Sequence, residues 1–129
     1  MTLKYILLHI GFIIVSISGF SQSKIVDVNA IEFQKIIDSC NNEVIIDVQT
    51  VEEFKKWALP EAVNAPTKKE LYSLTDTLDR DTPILVYCNE GERSLQAGKA
   101  LLEKNFILVV NLKNGLNHWI QKGFKVKNQ

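Results

Sequence analysis

The fold is decided by the stretch Ile84-Leu-Val-Tyr-Cys-Asn-Glu-Gly-Glu-Arg-Ser94. Its first five residues are apolar at successive positions, which is typical of a strand that is buried on both faces. The runs 44–48 and 107–112 have the same character, and segments with helical spacing separate the three. The sequence therefore predicts an α/β fold of three layers, in which helices cover both faces of a parallel β-sheet.

Weaker signals place the remaining elements. Thr50 and Glu53 form a capping box, which predicts a helix from residue 51 through Trp57. Trp57 and Trp119 are both expected to be packing residues. Further strands are predicted over 24–28 and 62–65, and further helices over 30–38, 68–78, 94–104 and 116–122.

Composition limits the classes of function. The 129 residues allow one compact domain, and 15 Lys and Arg balance 15 Asp and Glu. Bulk charge therefore indicates neither a nucleic acid nor an anionic membrane as partner. Two cysteines and two histidines give neither a disulfide scaffold nor the spacing of a zinc site, so no metal or organic cofactor is implied.

The amino-terminal sequence predicts a targeting signal. Lys4 precedes the uncharged segment 5–20, whose 16 residues are fewer than the roughly 20 that span a bilayer. Gly19 and Ser21 are small residues around a plausible cleavage point before Gln22. We expect a signal peptide over 1–21, a single domain over 22–129, export to the periplasm of a bacterium, and no stable membrane insertion after cleavage. An uncleaved amino-terminal membrane anchor is the alternative.

Cys88 is the candidate reactive residue. In a parallel sheet, ligands bind beyond the carboxyl ends of the strands, and Cys88 ends a predicted strand there. The loop that follows leads into a helix, so backbone N–H groups can point at the sulfur, and Arg93 adds a positive charge. A thiolate stabilised in this way is a nucleophile. An inert buried cysteine is the alternative, and composition alone does not separate the two.

Four blocks, in order along the chain, carry a resemblance to a known family. In these blocks the chain resembles the single-domain rhodaneses, which are sulfurtransferases with a parallel sheet and a cysteine that opens a short active-site loop. The blocks are Ile46-Asp-Val-Gln-Thr50 with Glu53 and Phe54, Leu59-Pro-Glu-Ala-Val-Asn64, Val86 to Ser94 with Ala97, and Asn111-Leu-Lys-Asn-Gly115 with Trp119.

The resemblance implies a role for each residue of the site. Cys88 would form a persulfide, Asp47 and Ser94 would support the loop from behind, and Arg93 would orient the bound sulfur. A small sulfur compound, thiosulfate or a persulfide, would be the donor, and a thiol or cyanide, or the thiol of another exported protein, the acceptor. The substrate cradle would consist of Asn89, Glu90, Gly91, Glu92 and Arg93.

Two other functions stay open. A catalytically silent rhodanese-like module could bind a partner or a small sulfur compound. More remotely, cysteine-dependent phosphatases use related loops, but they carry five residues between Cys and Arg, whereas this chain has four, 89–92.

Departures from the family pattern bear on the substrate. Gln49 stands where the family commonly has Arg, and we expect this to remove a charge from the rim of the crevice. The usual His before the Pro is absent from Trp57-Ala-Leu59, and Asn114 replaces the first of two glycines. Glu90 and Glu92 outnumber Arg93 in the loop, so we hypothesise that the thiosulfate dianion is a poorer donor than a less charged persulfide.

Cys40 is the second cysteine of the chain. It precedes a parallel strand, whereas Cys88 ends one, which would separate the two residues by on the order of 16 Å. A disulfide needs Cα atoms closer than roughly 7 Å, so we predict none between them.

Export gives the first test. We expect the secreted protein to begin near Gln22 and to be recovered in a soluble exported fraction, because the apolar segment is short and ends in small residues. Amino-terminal sequencing of the protein from fractionated cells measures this. Recovery of a chain that retains Met1 in the membrane pellet would contradict it.

Overall fold

The computed structural model describes residues 23–127. The predicted signal peptide lies outside the described residues, so it and the domain boundary at residue 22 stay predictions. Between residues 23 and 127, no helix has both the length and the apolar character needed to cross a membrane.

Strands and helices alternate along the described chain. The strands of residues 23–127 are β1 (Ile25–Val28), β2 (Val44–Asp47), β3 (Val63–Asn64), β4 (Ile84–Tyr87) and β5 (Val109–Leu112), and the helices are α1 (Ala30–Ser39), α2 (Val51–Lys56), α3 (Lys68–Thr75), α4 (Glu92–Glu103) and α5 (Gly115–Gln121). The strands pair in parallel in the order β1-β5-β4-β2-β3, so β4 is the central strand of the sheet. This confirms the predicted parallel sheet.

Side chains of β4 alternate between two apolar clusters, one on each face of the sheet. Tyr87 packs in the cluster that includes residues of α1 and α5. Val86 and Cys88 pack in the cluster that includes residues of α3 and α4. The predicted three layers are thereby confirmed, and the side chain of Cys88 lies on the face covered by α3 and α4.

The two tryptophans differ in their environments. Trp119 is 1% exposed, packs edge-on against Phe33 and donates from Nε1 to the carbonyl of Lys125, as expected for a packing residue. Trp57 is 44% exposed, so its assignment to packing is wrong. The backbone becomes extended at Trp57, where α2 ends, and the next two residues, Ala58 and Leu59, are buried instead.

Element boundaries shift where local hydrogen bonds compete. Helix α4 begins at Glu92 rather than Ser94, because Gly91 adopts a left-handed conformation and serves as its N-cap. Strand β5 is shorter than predicted, because the backbone N–H of Ile107 donates to the carbonyl of Arg80 and the carbonyl of Leu108 accepts from Ile84. These bonds connect Ile107 and Leu108 to Arg80 and to the first residue of β4, so β5 begins only at Val109.

Helix α5 fixes the backbone of the loop that follows β4. The N–H of Leu116 donates to the carbonyl of Cys88 at 2.8 Å, and the N–H of Asn117 donates to the carbonyl of Asn89 at 3.1 Å. Gly115 has a φ of +61°, and a Cβ there would lie 2.5 Å from backbone atoms of Cys88 and Asn89. Only glycine allows this approach.

Gly115→Ala is expected to destabilise the protein by about 3 kcal/mol, through the left-handed conformation and the backbone clash together. Gly123→Ala is the matched control, because Gly123 also has a positive φ, +78°, but nothing lies within 4 Å of its Cβ position. We expect that control to cost about 1 kcal/mol. Urea unfolding of both variants measures the difference, and equal losses would show that the close approach of α5 is not a constraint.

A candidate active site around Cys88

Three hydrogen-bond donors surround the sulfur of Cys88. The N–H of Gly91 lies 3.1 Å from Sγ, the N–H of Ser94 lies 3.4 Å away, and the Ser94 hydroxyl lies 3.3 Å away. Cys88 is 1% exposed, so little water shields these dipoles. Donors that converge on a buried sulfur favour negative charge on it.

Gly91 shapes the loop that holds these donors. Its φ of +97° is a left-handed conformation, and a Cβ there would lie 3.0 Å from the backbone nitrogen of Asn114. The Gly91 carbonyl accepts a hydrogen bond from Asn111 Nδ2 at 3.2 Å. It also lies 3.1 Å from the Ser94 hydroxyl, whose single proton is shared between this carbonyl and the cysteine sulfur. The sequence pattern did not single out a role for Asn111, which also donates to Asp27 at 2.9 Å and so ties the loop to β1.

The predicted cradle residues fall into two groups. Gly91 lies at the sulfur, whereas Asn89, Glu90, Glu92 and Arg93 line a cavity of about 240 Å³ together with Cys88. Ser94, which was expected to support the loop from behind, lies at the sulfur as well. Glu90, Glu92 and Arg93 on the edge of the cavity are exposed.

Arg93 is held by Glu53 in a bidentate ion pair. Both Nη atoms of Arg93 donate to the two carboxylate oxygens of Glu53 at 2.8 Å. These hydrogen bonds lower the pKa of Glu53 to about 2, and the same contact raises the pKa of Arg93. The sequence analysis assigned Glu53 only a role in the capping box of α2, so this ion pair was not predicted. The structure shows both contacts, because the Glu53 carboxylate also accepts a hydrogen bond from the backbone N–H of Thr50. The positive charge of Arg93 is therefore already balanced.

Asp47 lies at the end of β2 beside Tyr87, which precedes Cys88. It is fully buried, and its two carboxyl oxygens accept from the backbone N–H and the side-chain amide of Gln49, at 2.7 and 2.8 Å. Burial raises the pKa of Asp47, and hydrogen bonds from Tyr87 and Gln49 only partly oppose this. The Asp47 side chain therefore binds Gln49 beneath the site and, within residues 23–127, does not bind the cysteine loop directly. It is connected to that loop through its neighbour Tyr87, the residue before Cys88.

Gln49 does not lie where the sequence suggested. It is 2% exposed and donates to Asp47 and to the carbonyl of Trp57, so its assignment to the rim of the crevice is wrong. The departure from the family's Arg at position 49 therefore affects the hydrogen bonding of the buried Asp47 and not the charge of the crevice rim.

Metal binding finds no support in the described residues. Within 23–127, no cluster of three or more His, Cys, Asp and Glu side chains could hold an ion. Cys40 and Cys88 are free thiols, and Cys40 lies at the end of α1 that precedes β2.

Comparison with known proteins gives one consistent family. The family model described as a rhodanese-like domain matches residues 29–122. Rhodanese-like domain-containing protein 17 of Arabidopsis thaliana is 30% identical over 126 residues, covering 85% of this chain and 78% of the relative. A protein named sulfurtransferase from Allochromatium vinosum is 25% identical over 93 residues, covering 72% of this chain and 85% of the relative.

Solved structures show the same fold. The crystal structure of a rhodanese-related protein from Thermoplasma volcanium matches with a TM-score of 0.68 and 24% identity. The match covers 81% of this chain and 99% of that one.

The buried Asp47 predicts a pH dependence of stability. Because its pKa in the folded protein is raised above the ordinary 3.8, its contribution to stability is full below that pH and is lost as pH rises through the raised value. Asp47→Asn stays neutral at every pH, so the wild-type protein should lose unfolding free energy relative to this variant across that window. Denaturant unfolding at a series of pH values measures the difference, and a constant or increasing advantage of the wild type would contradict the expectation.

Proposed function

Because the chain belongs to the family of rhodanese-like domains, we propose that it is a sulfurtransferase that carries a sulfane sulfur as a persulfide on Cys88. The observation that carries the proposal is the convergence of Gly91 N–H and both Ser94 donors on the cysteine sulfur. The name of the Allochromatium relative, sulfurtransferase, agrees with this chemistry.

In the first step, the Cys88 thiolate attacks the outer sulfur of a donor R–S–SH. A new bond forms between Cys88 Sγ and that sulfur, the donor S–S bond breaks, and the electron pair leaves on RS⁻. The proton stays on the transferred sulfur. The N–H groups of Gly91 and Ser94 stabilise the thiolate before attack, which is the electrostatic part of catalysis.

In the second step, an acceptor thiolate or cyanide attacks the outer sulfur of the persulfide. The Cys88 S–S bond breaks, and its electron pair returns to Cys88 as thiolate, where the same donors stabilise it. The products are a new persulfide, or thiocyanate and a proton. No external oxidant or reductant enters the cycle.

The charges around the cavity favour a donor of low charge. Glu53 balances Arg93, and the exposed Glu90 and Glu92 leave the edge negative. Each carboxylate several ångströms from the thiosulfate dianion would cost on the order of 1 kcal/mol, less where salt screens it. A persulfide or polysulfide of lower charge is therefore the better donor.

A catalytically silent binding module is the second candidate. The pairing of Arg93 with Glu53 favours it, because an arginine held in this way is not free to orient a donor. A phosphatase is a remote third, because four residues separate Cys88 from Arg93 where the phosphatases have five.

The proposed place of action is the periplasm, after export directed by residues 1–21. This rests on the apolar segment 5–20 and the small residues around the cleavage point. A thiol of another exported protein is then a possible acceptor besides small thiols. A chain anchored through an uncleaved amino terminus would act at the membrane surface instead.

The two cysteines provide the test of the proposed function. With cyanide as acceptor and cysteine persulfide or thiosulfate as donor, Cys88→Ser should lower thiocyanate formation to the uncatalysed rate. Cys40→Ser is the matched control and should keep most of the activity, because Cys40 ends α1 before β2 begins, whereas Cys88 follows the end of β4. The wild type should transfer sulfur several-fold faster from cysteine persulfide, the less charged donor, than from thiosulfate.

Two outcomes would overturn the scheme. Equal loss in both variants would point to a dithiol mechanism, and no transfer by the wild type from either donor would support the silent module. A preference for thiosulfate would contradict the argument about donor charge but would leave sulfur transfer through Cys88 intact.

A further inference from the structure

A second cavity lies on the same face of the sheet as Cys88. Its volume is about 410 Å³, which is within the size range of small-molecule sites. Its floor is apolar and consists of Val48, Ala65, Leu71, Ala97 and Ala100. We call this cavity the α3/α4 groove.

The groove adjoins the cysteine site. Arg93 lines both cavities, so the two cavities meet at this residue. Val48, Ala65 and Leu71 belong to the same apolar cluster as Cys88, and Ala97 packs against that cluster. A molecule that reaches Cys88 past Arg93 can therefore keep its organic part in the groove.

The charge on the rim of the groove is positive. Lys68 is exposed, lines the groove and makes no ion pair within residues 23–127. The charge of Arg93 is balanced by Glu53, so Lys68 supplies the uncompensated charge of the rim. An anionic group on a ligand would be attracted there.

We propose that the α3/α4 groove binds the acceptor of the sulfur, a small organic thiol with an apolar body and a carboxylate at its far end. This inference rests on the proposed function. The acceptor thiolate attacks the outer sulfur of the Cys88 persulfide, an S–S bond forms on the acceptor, and the Cys88 S–S bond breaks to return the thiolate. The apolar body packs on the floor, and the carboxylate pairs with Lys68.

The experiment separates loading from unloading. Cys88 is first loaded with inorganic tetrasulfide, which has no organic body, and intact mass confirms the added sulfur. Unloading is then timed with 3-mercaptopropionate and with 6-mercaptohexanoate, which differ by three methylene groups. Partial burial of those groups should make the longer thiol about tenfold more efficient, judged by kcat/KM.

Ala97→Leu should fill the groove and reduce that ratio to near one. Comparing both thiols within each variant cancels their intrinsic reactivities. Gln34→Leu is the matched control, because Gln34 lines a separate cavity that is shared with Trp119 of the opposite cluster. The control should retain the tenfold ratio.

The second variant changes an exposed residue, so its effect on unloading is separate from any change in the packing of the core. Lys68→Gln, at an exposed position, should slow unloading by 6-mercaptohexanoate two- to fivefold at low salt. Unloading by the neutral 6-mercaptohexan-1-ol should not change. Together the variants measure the apolar and the charged parts of the site separately.

The outcomes distinguish the claim that Cys88 carries sulfur from the claim that the α3/α4 groove binds the acceptor. If Cys88 takes up no sulfur from tetrasulfide, the proposed function fails. If loading succeeds but chain length has no effect, or if both Ala97→Leu and Lys68→Gln leave the unloading rates unchanged, the groove is not the acceptor site and the proposed function stands.

Discussion

The site depends on how closely the beginning of α5 approaches the loop after β4. The carbonyl of Cys88 accepts the N–H of Leu116, and Gly115 has no side chain to keep the two backbones apart. With its carbonyl fixed on that side, the Cys88 side chain is directed to the face of α3 and α4. The N–H groups of Gly91 and Ser94 then reach its sulfur.

In the loop after β4, the hydrogen-bond donors around the Cys88 sulfur favour a negative charge on that atom, whereas the surface around the opening is acidic. Three donor groups lie within hydrogen-bond distance of the sulfur in a buried position, where dipoles act strongly. Farther out, Glu53 neutralises Arg93, and exposed acids line the opening. A thiolate or a persulfide can therefore be stabilised without a high affinity for dianions. This contrast separates the chemistry at the sulfur from the choice of donor.

Much of the fold could be predicted from the sequence, because apolar runs such as 84–88 and 44–48, separated by helical segments, are typical of the strands of a buried parallel sheet. The cysteine loop was also visible, since it directly follows the central strand. The ion pair between Glu53 and Arg93 was not, because it joins residues 40 positions apart that each had a simpler local role. The burial of Gln49 and the exposure of Trp57 were missed for a related reason: both depend on how the chain leaves the sheet between β2 and β3, which no periodic pattern encodes.

The most direct measurement is the mass of the intact protein after incubation with inorganic tetrasulfide, followed by fragmentation to locate the change. The account predicts the gain of one sulfur atom on the peptide that contains Cys88, and its loss when an acceptor thiol is added. A protein that gains no sulfur, or one that gains it on Cys40, would contradict the claim that Cys88 carries the persulfide.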